Sequence, residues 1–172
     1  GYIRTYNNSG RETSYLGTGS DNSGQLRIYD KQGETRSYLG DGYLQAYNQF
    51  GERTIFLGTG TNGGGYLRTY NFSGQESIYV GTGADSSGQI RIYDNTGETG
   101  SFLGSGYFRT YNRFGKMTTF IGNATDGGGY LRTNNKFETE TAFLGTNNAN
   151  EGLINLNDKF GQSFWIRLNK KN

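Results

Sequence analysis

The 172-residue chain has no cysteine, no histidine and no proline. Without cysteine there is neither a disulfide framework nor a thiolate metal site. Without histidine the usual general base and the commonest zinc ligand are missing. Nucleophilic triads of the ordinary kind are therefore unavailable. The absence of proline suits long hydrogen-bonded strands, which proline interrupts. Hydrophobic residues make up only 31% of the chain, too few for a thick globular core. The net charge of +2 is small and evenly spread, which argues against nucleic acid as a partner. No apolar run is long enough to cross a bilayer, so no membrane insertion is expected. A chain that opens on Gly1 rather than Met reads as a segment of something longer.

What is abundant is glycine, with 30 residues, and aromatic side chains, at 15%. The aromatic content sets the chain apart from disordered sequences. Both are distributed periodically. A repeat of the form G-Y-L-R-T-Y-N-x-x-G-x-x-x-x-F-L-G starts at Gly1, Gly24, Gly42, Gly65, Gly88, Gly106 and Gly129, and a degenerate copy that reads as a cap starts at Gly152. The spacing alternates so that the whole pattern recurs every ~64 residues. Residues 1–172 therefore read as a single array of eight glycine-rich repeats, the kind of chain that forms shafts, spacers or multivalent surfaces.

Each repeat predicts two strands and a turn. In the copy beginning at Gly65, Leu67 and Thr69 fall on one face, and Tyr66, Arg68 and Tyr70 on the other. The equivalents Leu26, Leu44, Leu67, Ile90, Phe108 and Leu131 are always large and apolar, which predicts a buried row. Asn71 to Gly74 predicts a turn in which the Asn side chain bonds back to the backbone and Gly takes a positive φ. Gly10, Gly33, Gly51, Gly97 and Gly115 are its counterparts, while Glu138 stands where glycine is expected and predicts an altered or strained turn. The second strand ends in aromatic–aliphatic–Gly, as in Tyr79-Val80-Gly81, which predicts cover on both faces. Connections such as Gly40-Asp41-Gly42 are tight, and those such as residues 18–23 predict loops projecting from one face. No segment has a sustained helical period, so the fold class is all-β.

The chemistry-bearing candidates are few. Glu52, Glu76, Glu98 and Asp21 could in principle form a carboxylate pair of the glycosidase type. They recur at fixed positions alongside Arg4, Arg27, Arg68, Arg91, Arg109 and Arg132, which predicts ion pairing rather than catalysis. Asp21, Asn62, Asp85 and Asp126 lie in glycine-rich loops, but one acid per loop is too little for calcium, so no metal and no cofactor is expected. Gly63-Gly64-Gly65 lacks the lysine and helix of a phosphate loop. Tyr66, Arg68, Tyr70, Tyr107, Arg109 and Tyr111 admit two readings. They are either a strand face of rings stacking on one another or a saccharide platform.

The string G-x-L-R-I-Y-D-x-x-G-E-T-x-x-x-L-G resembles repeats of phage tail-fibre and tailspike shafts and of related bacterial surface proteins, over essentially the whole chain. The resemblance implies an elongated homotrimeric β-helix and a structural, adhesive role at a virion or cell surface, not an enzymatic one. The regular alternation of repeat lengths and the high tyrosine content depart from that pattern. They leave room for a self-assembling extracellular filament subunit or for a carbohydrate-binding module whose partner is a cell-surface glycan. A single-chain β-solenoid is the alternative architecture to the trimer.

Overall fold

The computed structural model describes residues 1–168 apart from 62, 126 and 148. Asn62 and Asp126, two of the loop residues considered for calcium, thus lie outside the described residues. The described residues are all-β and contain no helix. They divide into two compact units, Gly1–Ser86 and Ser87–Asn172. The first holds β1 (Tyr2–Tyr6), β2 (Glu12–Thr18), β3 (Gly24–Tyr29), β4 (Thr35–Gly40), β5 (Tyr43–Tyr47), β6 (Arg53–Thr59), β7 (Gly65–Tyr70) and β8 (Glu76–Thr82). The second holds β9 (Gly88–Tyr93), β10 (Thr99–Gly104), β11 (Tyr107–Tyr111), β12 (Met117–Asn123), β13 (Gly129–Asn134), β14 (Glu140–Thr146), β15 (Gly152–Asn157) and β16 (Ser163–Leu168). Each glycine-rich repeat is one hairpin.

Within each unit every strand pairs antiparallel with its neighbours in sequence, so each unit is a meander of linear, unclosed order. Each meander is open, so what one chain shows is the all-β array without the closed path of a β-helix. The repeat has solved its pairing locally: a short turn favours the adjacent antiparallel strand over a distant parallel one.

The turns explain this. In the first, Asn7 Oδ1 accepts from the N–H groups of Ser9 and Arg11, each at 3.0 Å, and Gly10 N–H closes the turn onto Asn7 O at 2.9 Å. The same pattern recurs at Asp30, Asn48, Asn71, Asp94, Asn112, Asn135 and Asp158. The closing glycines take positive φ as expected, from 70° at Gly115 to 91° at Gly33. Glu138 is forced into the same left-handed region, at φ 67°, and keeps the turn's hydrogen bonds. It is strained, not rearranged, because its neighbours fix the geometry. The tight connections put Asp41 and Gly42, and Ser105 and Gly106, at positive φ, the signature of a type I′ hairpin. The longer connections are themselves closed turns. They use the turn geometry of the Asn turns, with Asn22 N–H on Gly19 O and Gly63 N–H on Gly60 O, at strand ends.

Cross-strand register sorts the side chains into two faces. On one, Ile3, Leu16, Leu26, Leu39, Leu44, Leu57, Leu67 and Val80 stand directly opposite one another from β1 to β8. Beside them runs a row of Thr5, Ser14, Ile28, Ser37, Ala46, Ile55, Thr69 and Ile78. The second unit repeats this from Ile90 to Ile154 and from Ile92 to Leu156. The row is as expected; its burial is not. Leu44 and Ile90 are 37% exposed, and Leu26, Leu67, Phe108 and Leu131 are only half-buried. A single-layer sheet has no second layer to pack on this face. Among the described residues Phe120 is the one buried large hydrophobic side chain.

Candidate functional site

The opposite face carries the aromatic and arginine residues. In the first unit the rings of Tyr38, Tyr43, Phe56, Tyr66 and Tyr79 form a continuous run, with centroids 5.1–5.8 Å apart. In the second, Phe102, Tyr107, Phe120, Tyr130 and Phe143 do the same at 4.6–5.6 Å. Neighbouring planes are 14–33° apart, so each interior ring turns its faces to its neighbours. Each contact is worth about 0.5–1.5 kcal/mol beyond the area it buries.

The recurring glycine near the end of each second strand follows from this run. Gly81 lies opposite Tyr66, and Gly122 opposite Tyr107. At both, an added Cβ would stand 2.5 Å from the tyrosine Cβ and 2.9 Å from backbone atoms of the facing strand. On Gly17 and Gly40 the ring of Tyr15 or Tyr38 from the same strand also lies over the position. Glycine is the seat on which the rings rest.

Arginine completes the face. Arg68 stands 4.7 Å over the Tyr66 ring and 5.5 Å over Tyr79, and Arg109 stands 4.2 Å over Tyr107 and 5.4 Å over Phe120. Such contacts contribute about 0.5–1 kcal/mol at exposed sites. Partial burial works against the Arg68 charge, but Glu76, at 3.3 Å, and the tyrosine hydroxyls outweigh it and hold its pKa above the usual value. Arg4 pairs in the same way with Glu12 at 3.4 Å. Burial, reinforced by Tyr43 and the Asp41 charge, pushes the Tyr38 hydroxyl up to about 12.

The six residues singled out in the sequence therefore fall into two sets, one per unit. Tyr66, Arg68 and Tyr70 share one face of β7, and Tyr107, Arg109 and Tyr111 share one face of β11. Tyr66 and Tyr107 are interior members of their runs, and Tyr70 carries Arg53 at 4.9 Å from its ring. The carboxylates are also placed. Glu76 pairs with Arg68, and Glu52 accepts from Asn48 Nδ2 at 2.9 Å. Asp21 accepts from the Ser23 hydroxyl and N–H, which hold its pKa below the ordinary range. Among the described residues no three acids gather as metal ligands would.

Sequence reasoning missed one feature. Phe50, Phe72, Phe114, Phe137 and Phe160 occupy turn tips and are 64–83% exposed. In the second unit each has a cation on its ring: Arg113 on Phe114, Lys136 on Phe137 and Lys159 on Phe160, all at 4.8–4.9 Å. The signal was available, since a large apolar residue in the middle of an Asn-to-Gly turn has nothing to pack on.

No protein-family model matches the sequence, and a search of curated proteins finds no significant match.

Proposed function

We propose that the chain is a structural segment of a fibre or shaft, carried on a phage tail or an extracellular appendage and serving attachment rather than catalysis. The observation that carries this reading is the leucine face. In the first unit its two rows include eleven large aliphatic side chains and no charge. Leu16 and Leu57 are each half exposed. With Ile3 at 63% and Leu39 at 49% exposure as well, the row is a contiguous apolar patch of the kind that marks an interaction site.

A second copy of the same chain is the occupant that fits. The two rows are uncharged and recur from repeat to repeat, so identical rows match them in chemistry and in strand spacing. Three copies packed around an axis cover both rows and leave the aromatic–arginine face outside, which is the homotrimer that the resemblance to tail-fibre shafts implies. Such a particle belongs at a virion or cell surface.

Light scattering on the purified chain tests the reading. The expected mass is three times that of the chain. Leu67→Asp sets a charge into the apolar row, whose burial is costly, and should shift the protein to monomer. A stable monomer at micromolar concentration would overturn the reading, and an open-ended filament in micrographs would replace the discrete shaft with a filament subunit.

A further inference from the structure

The connections after β9, β11, β13 and β15 fall on one edge of the second unit, because each strand runs antiparallel to the one before it. The last three share a pattern that the first, at residues 94–97, lacks. They read Asn112-Arg113-Phe114-Gly115, Asn135-Lys136-Phe137-Glu138 and Asp158-Lys159-Phe160-Gly161. In each a cation precedes a phenylalanine and packs on its ring at 4.8–4.9 Å. The three rings are 64–73% exposed. Among the described residues none of the three cations makes an ion pair. The tips are also tied to one another. Asn112 Nδ2 donates to Lys136 O at 3.4 Å, and Asn135 Nδ2 donates to Lys159 O at 3.1 Å. Glu138 adds a third tie, accepting from Met117 N–H at 3.1 Å and pairing with Lys116 at 3.3 Å. The strained residue of the second tip thus has a role that glycine could not fill. Two strand spacings separate successive tips, so ring and cation recur about every 10 Å in a fixed row. A hollow of about 690 Å³ lies against the last two tips, lined by Lys136, Phe137, Lys159 and Phe160 together with Asn135 and Thr139.

Residues 112–116, 135–139 and 158–162 carry four cations against two acids. Both acids are engaged within the row. Glu138 is held by Lys116, and Asp158 Oδ1 accepts from the N–H groups of Phe160 and Gln162, each at 2.9 Å. The edge is therefore apolar and cationic together, and its spacing is set before anything binds. A partner that rewards both must offer negative charge next to an apolar phase. The ring runs use tyrosine and phenylalanine alike, yet every aromatic residue at a turn tip is phenylalanine. A ring without a polar handle suits hydrocarbon better than a sugar, to which tyrosine or tryptophan would also hydrogen-bond. An anionic bilayer surface supplies phosphate for the cations and an acyl boundary for the rings. We propose that this edge docks on an anionic phospholipid surface. Phe114, Phe137 and Phe160 dip into the acyl boundary, Arg113, Lys136 and Lys159 meet phosphates, and the hollow beside Lys136 and Lys159 takes a headgroup. Contact of this kind lies on a bilayer and does not span it. The proposal is independent of association through the leucine face, since it uses an edge of the sheet.

Co-flotation of the purified chain with lipid vesicles tests this. The chain is expected to bind vesicles of equal parts phosphatidylglycerol and phosphatidylcholine, and not vesicles of phosphatidylcholine alone. Binding should weaken as salt is raised, since exposed charges are screened. Arg113→Gln, Lys136→Gln and Lys159→Gln together should weaken it roughly 100-fold. Phe114→Ser, Phe137→Ser and Phe160→Ser together should weaken it at least about 10-fold. All six side chains are exposed, so both variants should keep the wild-type melting temperature to within a few degrees. Phe50→Ser with Phe72→Ser is the internal control. Those tips are 76% and 83% exposed but have no cation beside the phenylalanine in the turn, and binding should be unchanged. The proposal is overturned if the anionic vesicles are not bound, if phosphatidylcholine alone is bound as well, or if the glutamine variant binds like wild type. It is equally overturned if the serine variant binds like wild type, because charge alone would then suffice and a soluble polyanion would be the partner.

Discussion

Gly122→Ala is the sharpest perturbation of the ring run. The new methyl would stand 2.5 Å from Tyr107 Cβ and 2.9 Å from both Tyr107 Cα and Gly106 O. Two of these three are backbone atoms, so no rotamer change relieves the contact, and β12 must move away from β11. Phe120, two residues earlier on the same strand, stacks between Tyr107 and Tyr130 at 5.6 and 4.6 Å. It is displaced with the strand. Overpacking of this kind costs about 1–3 kcal/mol, and loosening one ring contact adds a part of its ~0.5–1.5 kcal/mol. Against this, alanine reduces the freedom of the unfolded chain and returns about 0.4–1 kcal/mol. The net expectation is a loss of about 1–3 kcal/mol, or a melting temperature lower by roughly 3–10 °C for a chain of this length. Gly100→Ala is the internal control. There the nearest atom to the new Cβ is at 3.5 Å, so only the unfolded-state gain remains, and stability should rise by about 0.5 kcal/mol. Thermal melts followed by circular dichroism distinguish them, with the near-ultraviolet signal reporting the rings. If Gly122→Ala melts no lower than Gly100→Ala, glycine is not the seat of the rings.

Other expectations are briefer. Ser86 holds φ 64°, so Ser86→Gly should relieve left-handed strain and stabilise by a few tenths of a kcal/mol, measurable by urea unfolding. Asp94 is held below its ordinary pKa by the Thr96 hydroxyl and N–H. For Glu138 the Met117 N–H and Lys116 do the same. Asp30 loses some of this to partial burial, but the Glu34 N–H and Arg36 prevail. A carboxylate with a depressed folded-state pKa contributes stability above its unfolded value and loses it on protonation. The melting temperature should therefore fall as pH drops below about 4. It should stay nearly flat from about pH 5.5 to 8, because the chain has no histidine to titrate there. A midpoint near neutral pH would refute the carboxylate account.

Much of the fold was legible because the repeat restates each position several times. Eight copies of an Asn-or-Asp turn leave little doubt about its geometry, and the alternation of Leu67 and Thr69 against Tyr66, Arg68 and Tyr70 separated the two faces correctly. What the repeat does not encode is what lies beyond one chain's sheet. A large apolar residue in every copy says that the row seeks cover, but not that the same chain supplies it, and so Leu26 and Leu131 are half-buried where burial was expected. The alternation does not fix strand pairing either. Hairpins and coils share the same alternation, and only the turn geometry decides between them. Stacking across the sheet was one of the two readings open for Tyr66 and Tyr107, and which rings meet depends on cross-strand register, which a single repeat does not contain.

The ~64-residue period acquires a physical meaning from the two faces together. Most repeats place tyrosine directly after their opening glycine, as at Tyr43, Tyr66, Tyr107 and Tyr130, and the ring run passes through them. The two short repeats have Gln25 and Gln89 there instead. Gln25 Oε1 accepts from Arg27 Nε and Nη2 at 3.3 and 3.1 Å, and Gln89 Oε1 from Arg91 Nη2 at 3.4 Å. These arginines are bound to an amide neighbour and stand beside a ring on one side only, Tyr38 or Phe102. A run of five rings thus begins after each glutamine, on the strand that leads into the type I′ turn. The leucine face shows no such interruption, since Leu26 and Ile90 keep their row. The long period is therefore carried by the aromatic face and by the tight turns at Asp41 and Ser105, and not by the leucine row. Along the leucine row each repeat is equivalent, as a face that packs against another copy requires. Along the other face the rings fix a framework, and each glutamine marks the strand before a run of rings begins.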